Sequence, residues 1–421
     1  MDGVTITLLF LIFAIVMFVW ERIPLSVTAM IVAVGLVVTG VLSPKDAFAG
    51  FVDTNVLLFM AMFIVGAAFF ETGVARDVGG IVTKFAGTER KLIISVMLIT
   101  GLMSGFLSNT GTAAVLIPVA IGLAQRAGFN RAKFLLPLVL ASAMGGNLSL
   151  IGAPGNMIAQ SGLSKIGLSF GFFDYALIGL PVLIVGIIYF VLIGYKLLPD
   201  EPARQPEEIY EETDYSKVPK YKKWIAGIVL IATIVGMIFE QQIGIKLYVT
   251  AWIGALVLIV TGTISETAAV KSIDMKTILL FVGSLALADA LVKTGTGTVV
   301  ADAIITALGS HPSPFVLMAV VFIIAAVLTN FMSNTATTAL LVPIGISLAQ
   351  QVGADPKAVL MATVIGGSCA YATPIGMPAN TMVYNIAGYT FMDYVKVGAP
   401  LVVISTIVSL ILLPIFFPFY P

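Results

Sequence analysis

Leu107-Ser108-Asn109-Thr110-Gly111-Thr112-Ala113 and Met332-Ser333-Asn334-Thr335-Ala336-Thr337-Thr338 decide how this chain folds. Each sets three consecutive hydrogen-bonding side chains in the middle of an apolar stretch, 91–127 in one case and 313–351 in the other. Lipid offers such groups no partners, and an unsatisfied one costs several kcal/mol there. We read each stretch as a re-entrant hairpin that enters and leaves the membrane on one side, with Ser-Asn-Thr at its tip. The run from each tip to Pro118 or Pro343 reads as a helix that starts at the tip. Its free N–H groups and positive dipole end then point into the membrane. The asparagine amide and the two hydroxyls add donors and acceptors, so a tip can hold a carboxylate or a cation.

Around the hairpins the chain is almost continuously apolar. Hydrophobic residues make up 59% of 421 positions and charged residues 10%, against about 25% charged in a soluble domain. An ordinary soluble enzyme is excluded. The runs are continuous rather than alternating, which excludes a membrane β-barrel. Spans are expected at 4–20, 24–42, 54–72, 174–196, 223–243, 247–264, 277–292 and 396–417, with two interrupted ones near 132–169 and 357–386. That makes ten crossings and two hairpins in an all-α polytopic membrane protein. The first run reads as a spanning helix, not a signal peptide, because Met1 to Val4 carries no basic residue.

Lysine and arginine should gather on the cytoplasmic side. With both termini outside, 17 of the 22 basic residues fall in inside loops; Lys45, Lys165, Lys246, Lys293 and Lys357 fall outside. The segment 199–222, rich in Pro, Glu and Lys, reads as a cytoplasmic linker between two halves, 1–198 and 223–421. The halves repeat. Ser108-Asn109-Thr110 recurs at Ser333-Asn334-Thr335, Gly152-x-Pro-x-Asn156 at Gly376-x-Pro-x-Asn380, and Asp174-Tyr175 at Asp393-Tyr394, in one order and near one offset. Five crossings per half is an odd number, so the second half enters from the opposite face. The fold expected is two inverted repeats, each of five transmembrane helices plus one hairpin. Inverted repeats with broken helices point to a secondary transporter with its site near the midplane.

The breaks carry the remaining chemistry. In Gly152-Ala153-Pro154-Gly155-Asn156 and Gly376-Met377-Pro378-Ala379-Asn380, proline removes a donor and glycine admits unusual backbone, so carbonyls are freed. A hairpin tip facing such a break forms an oxygen cage suited to Na⁺. These motifs hold no Lys or Arg, so an anion there would rely on dipoles, amides and bound cations, which makes coupling physical.

With both hairpins and both breaks in view, nearly the whole chain resembles the divalent anion/sodium symporter family, whose members move dicarboxylates, citrate or sulfate. The resemblance implies homodimers, an elevator-type motion and two Na⁺ sites: Ser104, Ser108, Asn109 and Gly152 in one, and Thr329, the Met332 backbone, Asn334 and Gly376 in the other. It implies substrate contacts from Asn109, Thr110, Asn334 and Thr335, with Pro154, Met377 and Pro378 beside them. Dicarboxylate carriers of the family usually have Ser or Thr where this chain has Ala153 and Met377. Na⁺-coupled symport of a C4-dicarboxylate across the cytoplasmic membrane is the function expected. Sulfate, an arsenite-type oxyanion or Na⁺-independent exchange on the same fold are the alternatives. A channel or a membrane enzyme finds no support in motifs, and a net charge of zero gives no reason to expect a nucleic-acid partner.

A few residues stand apart. Asp289 lies in an apolar span one helical turn from Lys293 and reads as a local ion pair. Asp174 and Asp393 read as caps at helix starts, and Glu71 as interfacial. Cys369 reads as a small packed residue, and the lone His311 lacks metal-binding company.

Overall fold

The computed structural model describes residues 2–80, 88–200, 215–309 and 312–420. His311 and residues 201–214 of the linker lie outside them. Among the described residues the only regular structure is helical. The first half contains α1 (Gly3–Trp20), α2 (Leu25–Val38), α3 (Thr54–Glu71), α4 (Glu89–Ser104), α5 (Asn109–Ala127), α6 (Ala132–Gly145), α7 (Pro154–Lys165) and α8 (Ala176–Tyr189). The second contains α9 (Lys220–Ile238), α10 (Leu247–Val260), α11 (Met275–Thr294), α12 (Thr296–Ala307), α13 (Pro314–Leu328), α14 (Asn334–Gln351), α15 (Pro356–Gly367), α16 (Pro378–Ile386) and α17 (Phe391–Phe416). Six helices among the described residues are long and apolar enough to span a bilayer.

Spans expected at 24–42 and 247–264 form shorter helices, α2 and α10, of 14 residues each, about 21 Å at about 1.5 Å per residue. Gly40 (φ 74°) and Gly262 (φ 65°) take left-handed backbone just beyond each, the conformation that closes a helix C-terminus. Asp174 and Asp393 are not N-caps themselves. Asp393 sits inside the first turn of α17 and completes a capping box with Thr390. Asp174 accepts from Gly171 N at 2.8 Å in the turn before α8.

Small residues let helices meet at backbone distance, as lipid-embedded bundles require. A Cβ on Gly145 of α6 would lie 2.1 Å from the Gly101 carbonyl of α4, and one on Gly366 of α15 would lie 2.7 Å from the Phe322 carbonyl of α13. Cβ atoms on Gly179 of α8 and Gly398 of α17 would lie 2.0 and 1.9 Å from the carbonyls of Asn147 and Tyr371. Each hairpin is thereby locked to the broken helix of its own half. The outer helices instead cross between halves: α2 packs on α11, and α3 on α10.

The two ends of α11 mark opposite faces of the molecule. Near its C-terminal end, Thr296 Oγ1 reaches the Val4 carbonyl at 3.4 Å, beside the N-terminus. Asp289 on this end pairs with Lys165 of α7 at 2.5 Å, not with Lys293, which lies 3.8 Å from Asp46. Helical spacing suggested the wrong partner because α7 ends against α11, bringing together residues far apart in sequence. The same part of α7 is tied to α3: Asn55 Nδ2 donates to Ser161 Oγ at 2.9 Å, and Ser161 Oγ donates to Asp53 at 2.9 Å.

Candidate functional site: a cavity between the two hairpin tips

Helix α5 starts at Asn109 because Ser108 caps it, its hydroxyl accepting from Gly111 N at 3.1 Å; Ser333 caps α14 in the same way from Ala336 N at 3.2 Å. Pro154 and Pro378 occupy the first positions of α7 and α16, where a missing N–H costs nothing. The caps of these two helices are Ala153 and Met377, and neither makes a side-chain cap. Four helix N-termini, those of α5, α7, α14 and α16, open on a cavity of about 400 Å³ beside the starts of α2 and α11; its lining includes Ser108, Asn109, Thr110, Pro154, Gly155, Ser333, Asn334, Thr335, Gly376, Met377 and Pro378.

Every expected substrate contact therefore lies on this one cavity. Ala153 and Met377 lie on it too. Thr338 and Ser368 also line it; the sequence did not single them out, since nothing distinguishes a cavity-facing hydroxyl within an apolar helix from a packed one. Asp274 and Lys276, at the start of α11, line it as well. An adjoining cavity of about 600 Å³ runs past Ser333, Gly376 and Pro378 to Glu21. Burial raises the Glu21 carboxyl above its ordinary range, and the Ser333 N–H facing it acts in the other direction.

The expected cation ligands divide into two groups. In the first, Ser104, fully buried, donates to Asn109 Oδ1 at 2.7 Å or to the Ser142 carbonyl at 2.7 Å. The amide terminus of Asn109 that meets Ser104 Oγ also lies 3.3 Å from Ser142 O and 3.2 Å from Gly152 O. Four oxygen-bearing groups thus crowd one point, the donor set expected of a hard monovalent cation. A Cβ on Gly152 would lie 2.4 Å from Gly146 O and 3.0 Å from Gly105 O, so only glycine fits that approach. The Ser108 hydroxyl, also expected among the ligands of the first group, serves as the helix cap.

In the second group, Thr329 Oγ1 donates to Asn334 Oδ1 at 2.7 Å or to the Gly367 carbonyl at 2.5 Å. A Cβ on Gly376 would lie 2.4 Å from the Thr329 carbonyl, and Met332 is buried beside the tip. The groups match position for position: Ser104 with Thr329, Asn109 with Asn334, Gly152 with Gly376.

Matched bonds also hold each break in shape. Asn156 Nδ2 donates to the carbonyls of Gly146 (2.9 Å) and Ser149 (2.7 Å); Asn380 Nδ2 donates to those of Ala370 (2.7 Å) and Thr373 (3.1 Å). Behind them, Tyr175 donates to the Asn156 carbonyl at 2.7 Å and Tyr394 to the Asn380 carbonyl at 2.6 Å. Ser149 and Thr373 complete the pattern, donating to the carbonyls of Gly105 and Asn330 behind the hairpin tips.

Comparison with known proteins places the chain among transporters. An uncharacterized transporter of Haemophilus influenzae is 29% identical over 94% of this chain and 88% of its own length. The sodium-dependent dicarboxylate transporter SdcS of Staphylococcus saprophyticus is 24% identical, covering 90% of this chain and 79% of that protein. The crystal structure of the YdaH transporter of Alcanivorax borkumensis superposes with a TM-score of 0.67 at 16% identity, over 99% of both chains. The family described as "Citrate transporter" (CitMHS) matches residues 15–366, and the chain belongs to it: it is a multi-pass membrane transporter and not an enzyme.

Proposed function

We propose that this chain carries a small divalent anion, a C4-dicarboxylate, together with Na⁺. The observation that carries the reading is the convergence of four helix N-termini on one cavity flanked by the two oxygen-rich groups. An N-terminus is equivalent to about half a positive charge, so four supply about two, the charge of a dicarboxylate. Ser108 and Ser333 use part of two of these ends as caps, while the ends at Pro154 and Pro378 carry no side-chain cap. Bound Na⁺ makes up the remainder. Ser104, Asn109 and Gly152 would hold one ion, and Thr329, Asn334, Gly376 and the Met332 backbone the second. Thr110, Thr335 and Met377 would face the anion.

The proposed mechanism is elevator-like alternating access in a homodimer. The moving unit is α4–α8 with α13–α17, and the static frame is α1–α3 with α9–α12; the matched halves are inverted repeats. Two features support an arrangement open on one face. The cavity reaches the Asp274–Lys276 end of α11, and the opposite end of α11 is tied to α7 by Lys165–Asp289. By the distribution of basic residues, the open face is cytoplasmic and both termini lie outside.

The test is uptake of labelled succinate into liposomes containing the purified protein, with and without an inward Na⁺ gradient. Na⁺-dependent uptake that cold succinate blocks is expected. Succinate uptake indifferent to Na⁺ overturns the coupling, and no succinate uptake overturns the substrate. The description of the family favours citrate as the second reading, so cold citrate and sulfate belong among the competitors.

A further inference from the structure

The polar lining of the cavity is not shared evenly between the two halves. Most of it comes in matched pairs: Ser108 with Ser333, Asn109 with Asn334, Thr110 with Thr335. Two hydroxyls have no match. Thr338 stands five residues after the cap of α14, where the first half has Ala113 five residues after the cap of α5. Ser368 follows Gly367 as Ala143 follows Ser142, and the carbonyls of Gly367 and Ser142 are the matched ones that Thr329 and Ser104 reach. Both hydroxyls line the cavity, while Ala113 and Ala143 are fully buried.

The unmatched hydroxyls lie on the seam between the halves. A Cβ on Gly155 of α7 would lie 2.8 Å from Thr338 Oγ1, and one on Gly367 would lie 2.9 Å from it. The Thr338 hydroxyl thus fills the space those two glycines leave, beside Ser368. Its proton is committed, since it donates to the Asn334 carbonyl at 3.0 Å. The Ser368 proton is committed too, to the Val364 carbonyl at 3.0 Å or to Asn147 Oδ1 of the other half at 3.0 Å. Asn147 is buried and holds the serine from behind. In either orientation of the Asn147 amide the serine oxygen keeps a lone pair for the cavity. Both hydroxyls therefore offer the cavity acceptors, which a carboxylate, itself only an acceptor, cannot use.

Matched groups suit what a dicarboxylate has twice, its charged ends. Unmatched acceptors suit what it has once and can donate. On a four-carbon backbone held at both ends, that is a hydroxyl on one middle carbon. We propose that Ser368, seated by Asn147 and flanked by Thr338, determines specificity for a 2-hydroxy substituent, so that the preferred substrate is a hydroxylated C4-dicarboxylate, malate, over succinate. The inference deepens the dicarboxylate reading above and rests on it. The Gly367 carbonyl belongs to the second oxygen-rich group, so the hydroxylated carbon lies toward that end. A site that hydrogen-bonds a substrate hydroxyl discriminates against the analogue lacking it, because its own polar groups are then left unpaired.

The test is competition against uptake of labelled succinate and of labelled malate by the purified full chain in liposomes. Cold competitors are succinate, each malate enantiomer, oxaloacetate, whose oxo group cannot donate, and 2-methylsuccinate, which fills the same space. One malate enantiomer should compete about 2- to 12-fold better than succinate, the range of one net hydrogen bond. Oxaloacetate and 2-methylsuccinate should gain nothing over succinate. In Ser368→Ala the malate-to-succinate ratio should fall to about one. A serine that only packs the seam would weaken both competitors together and leave the ratio unchanged, which overturns the proposal. Malate that competes no better than succinate in the unsubstituted protein overturns it as well, a result that needs no variant to fold. Failure of the parent reading looks different. If neither labelled succinate nor labelled malate enters, the dicarboxylate reading falls and the subsite with it. Entry that is the same in choline as in Na⁺ removes the coupling alone, and the ratio still decides the subsite.

Discussion

Substituting Gly152 by alanine tests the cation cage most directly, because the geometry fixes what must move. Gly152 does not use left-handed backbone, so the obstacle is space, not dihedral strain. The new Cβ would lie 2.4 Å from Gly146 O, whereas ordinary contact begins near 3.4 Å. Backbone must therefore separate by about 1 Å, and neither partner is a side chain that could swing aside. Gly146 O also accepts from Asn156 Nδ2 at 2.9 Å, so the displacement loosens the bond that shapes the break. The Gly152 carbonyl, 3.2 Å from the Asn109 amide, leaves its position. A hydrogen bond or ligand to a charged group is worth about 1.5–3 kcal/mol, which is about 10- to 150-fold in Na⁺ affinity. The assay is Na⁺ titration of succinate uptake in liposomes, with protein amount and monodispersity checked by size-exclusion chromatography. Gly122→Ala, in the hairpin of the same half and with open space around its Cβ, is the control and should transport normally. A Gly152→Ala chain with an unchanged Na⁺ half-saturation would refute the cage.

Further outcomes follow from the same structure. Asn334→Ala should abolish Na⁺-driven uptake while the protein remains folded by circular dichroism; unchanged uptake removes this tip from the site. Met377→Thr places a hydroxyl on the cavity at the uncapped start of α16, and a gain of about 0.5–2 kcal/mol is typical of such a cap. Tighter succinate competition is expected if that hydroxyl meets the substrate; a stability gain without an affinity change would show that it serves the helix alone. Tyr394→Phe removes one bond behind the break and should cost about 1 kcal/mol of stability, measured as a lowered melting temperature in detergent. Lys165→Ala should shift the protein toward the opposite open state by about 1 kcal/mol or less, since both partners are about one-third exposed. Reaction of a cysteine introduced on the cavity in a Cys369→Ser background reports that shift, and equal reactivity with and without Lys165 denies the tie a role.

The sequence disclosed the fold wherever polarity interrupts an apolar run. Ser-Asn-Thr and the Gly-Pro breaks could be read because lipid leaves no bland explanation for them, and both tips and both breaks do line one cavity. What stayed hidden lies in α6. Every residue from Ala132 to Gly145 is buried, Lys133 included, so the helix has no polar face and no periodic signal. Ser142 belongs to the first cage through its main-chain carbonyl, and its hydroxyl donates to the Asn109 carbonyl at 2.7 Å. A main-chain ligand leaves no mark on residue identity. The partner of Asp289 was misread for a related reason: a helix-spacing rule sees neighbours along one helix, and Lys165 comes from another.

The charge arrangement bears on how such a carrier avoids leaking either solute alone. Two of the four dipole ends are partly used by the Ser108 and Ser333 caps, so the fixed dipoles fall short of a dianion's charge until Na⁺ is bound. Conversely, the cage contains no formal charge: Ser104, Asn109 and the carbonyls of Ser142 and Gly152 are all neutral. A cation there is uncompensated until the anion arrives beside it, and a lone buried charge is costly. Together, two Na⁺ and a dianion bring the formal charge of the loaded site to zero, the state best suited to pass through the low-dielectric middle of the membrane.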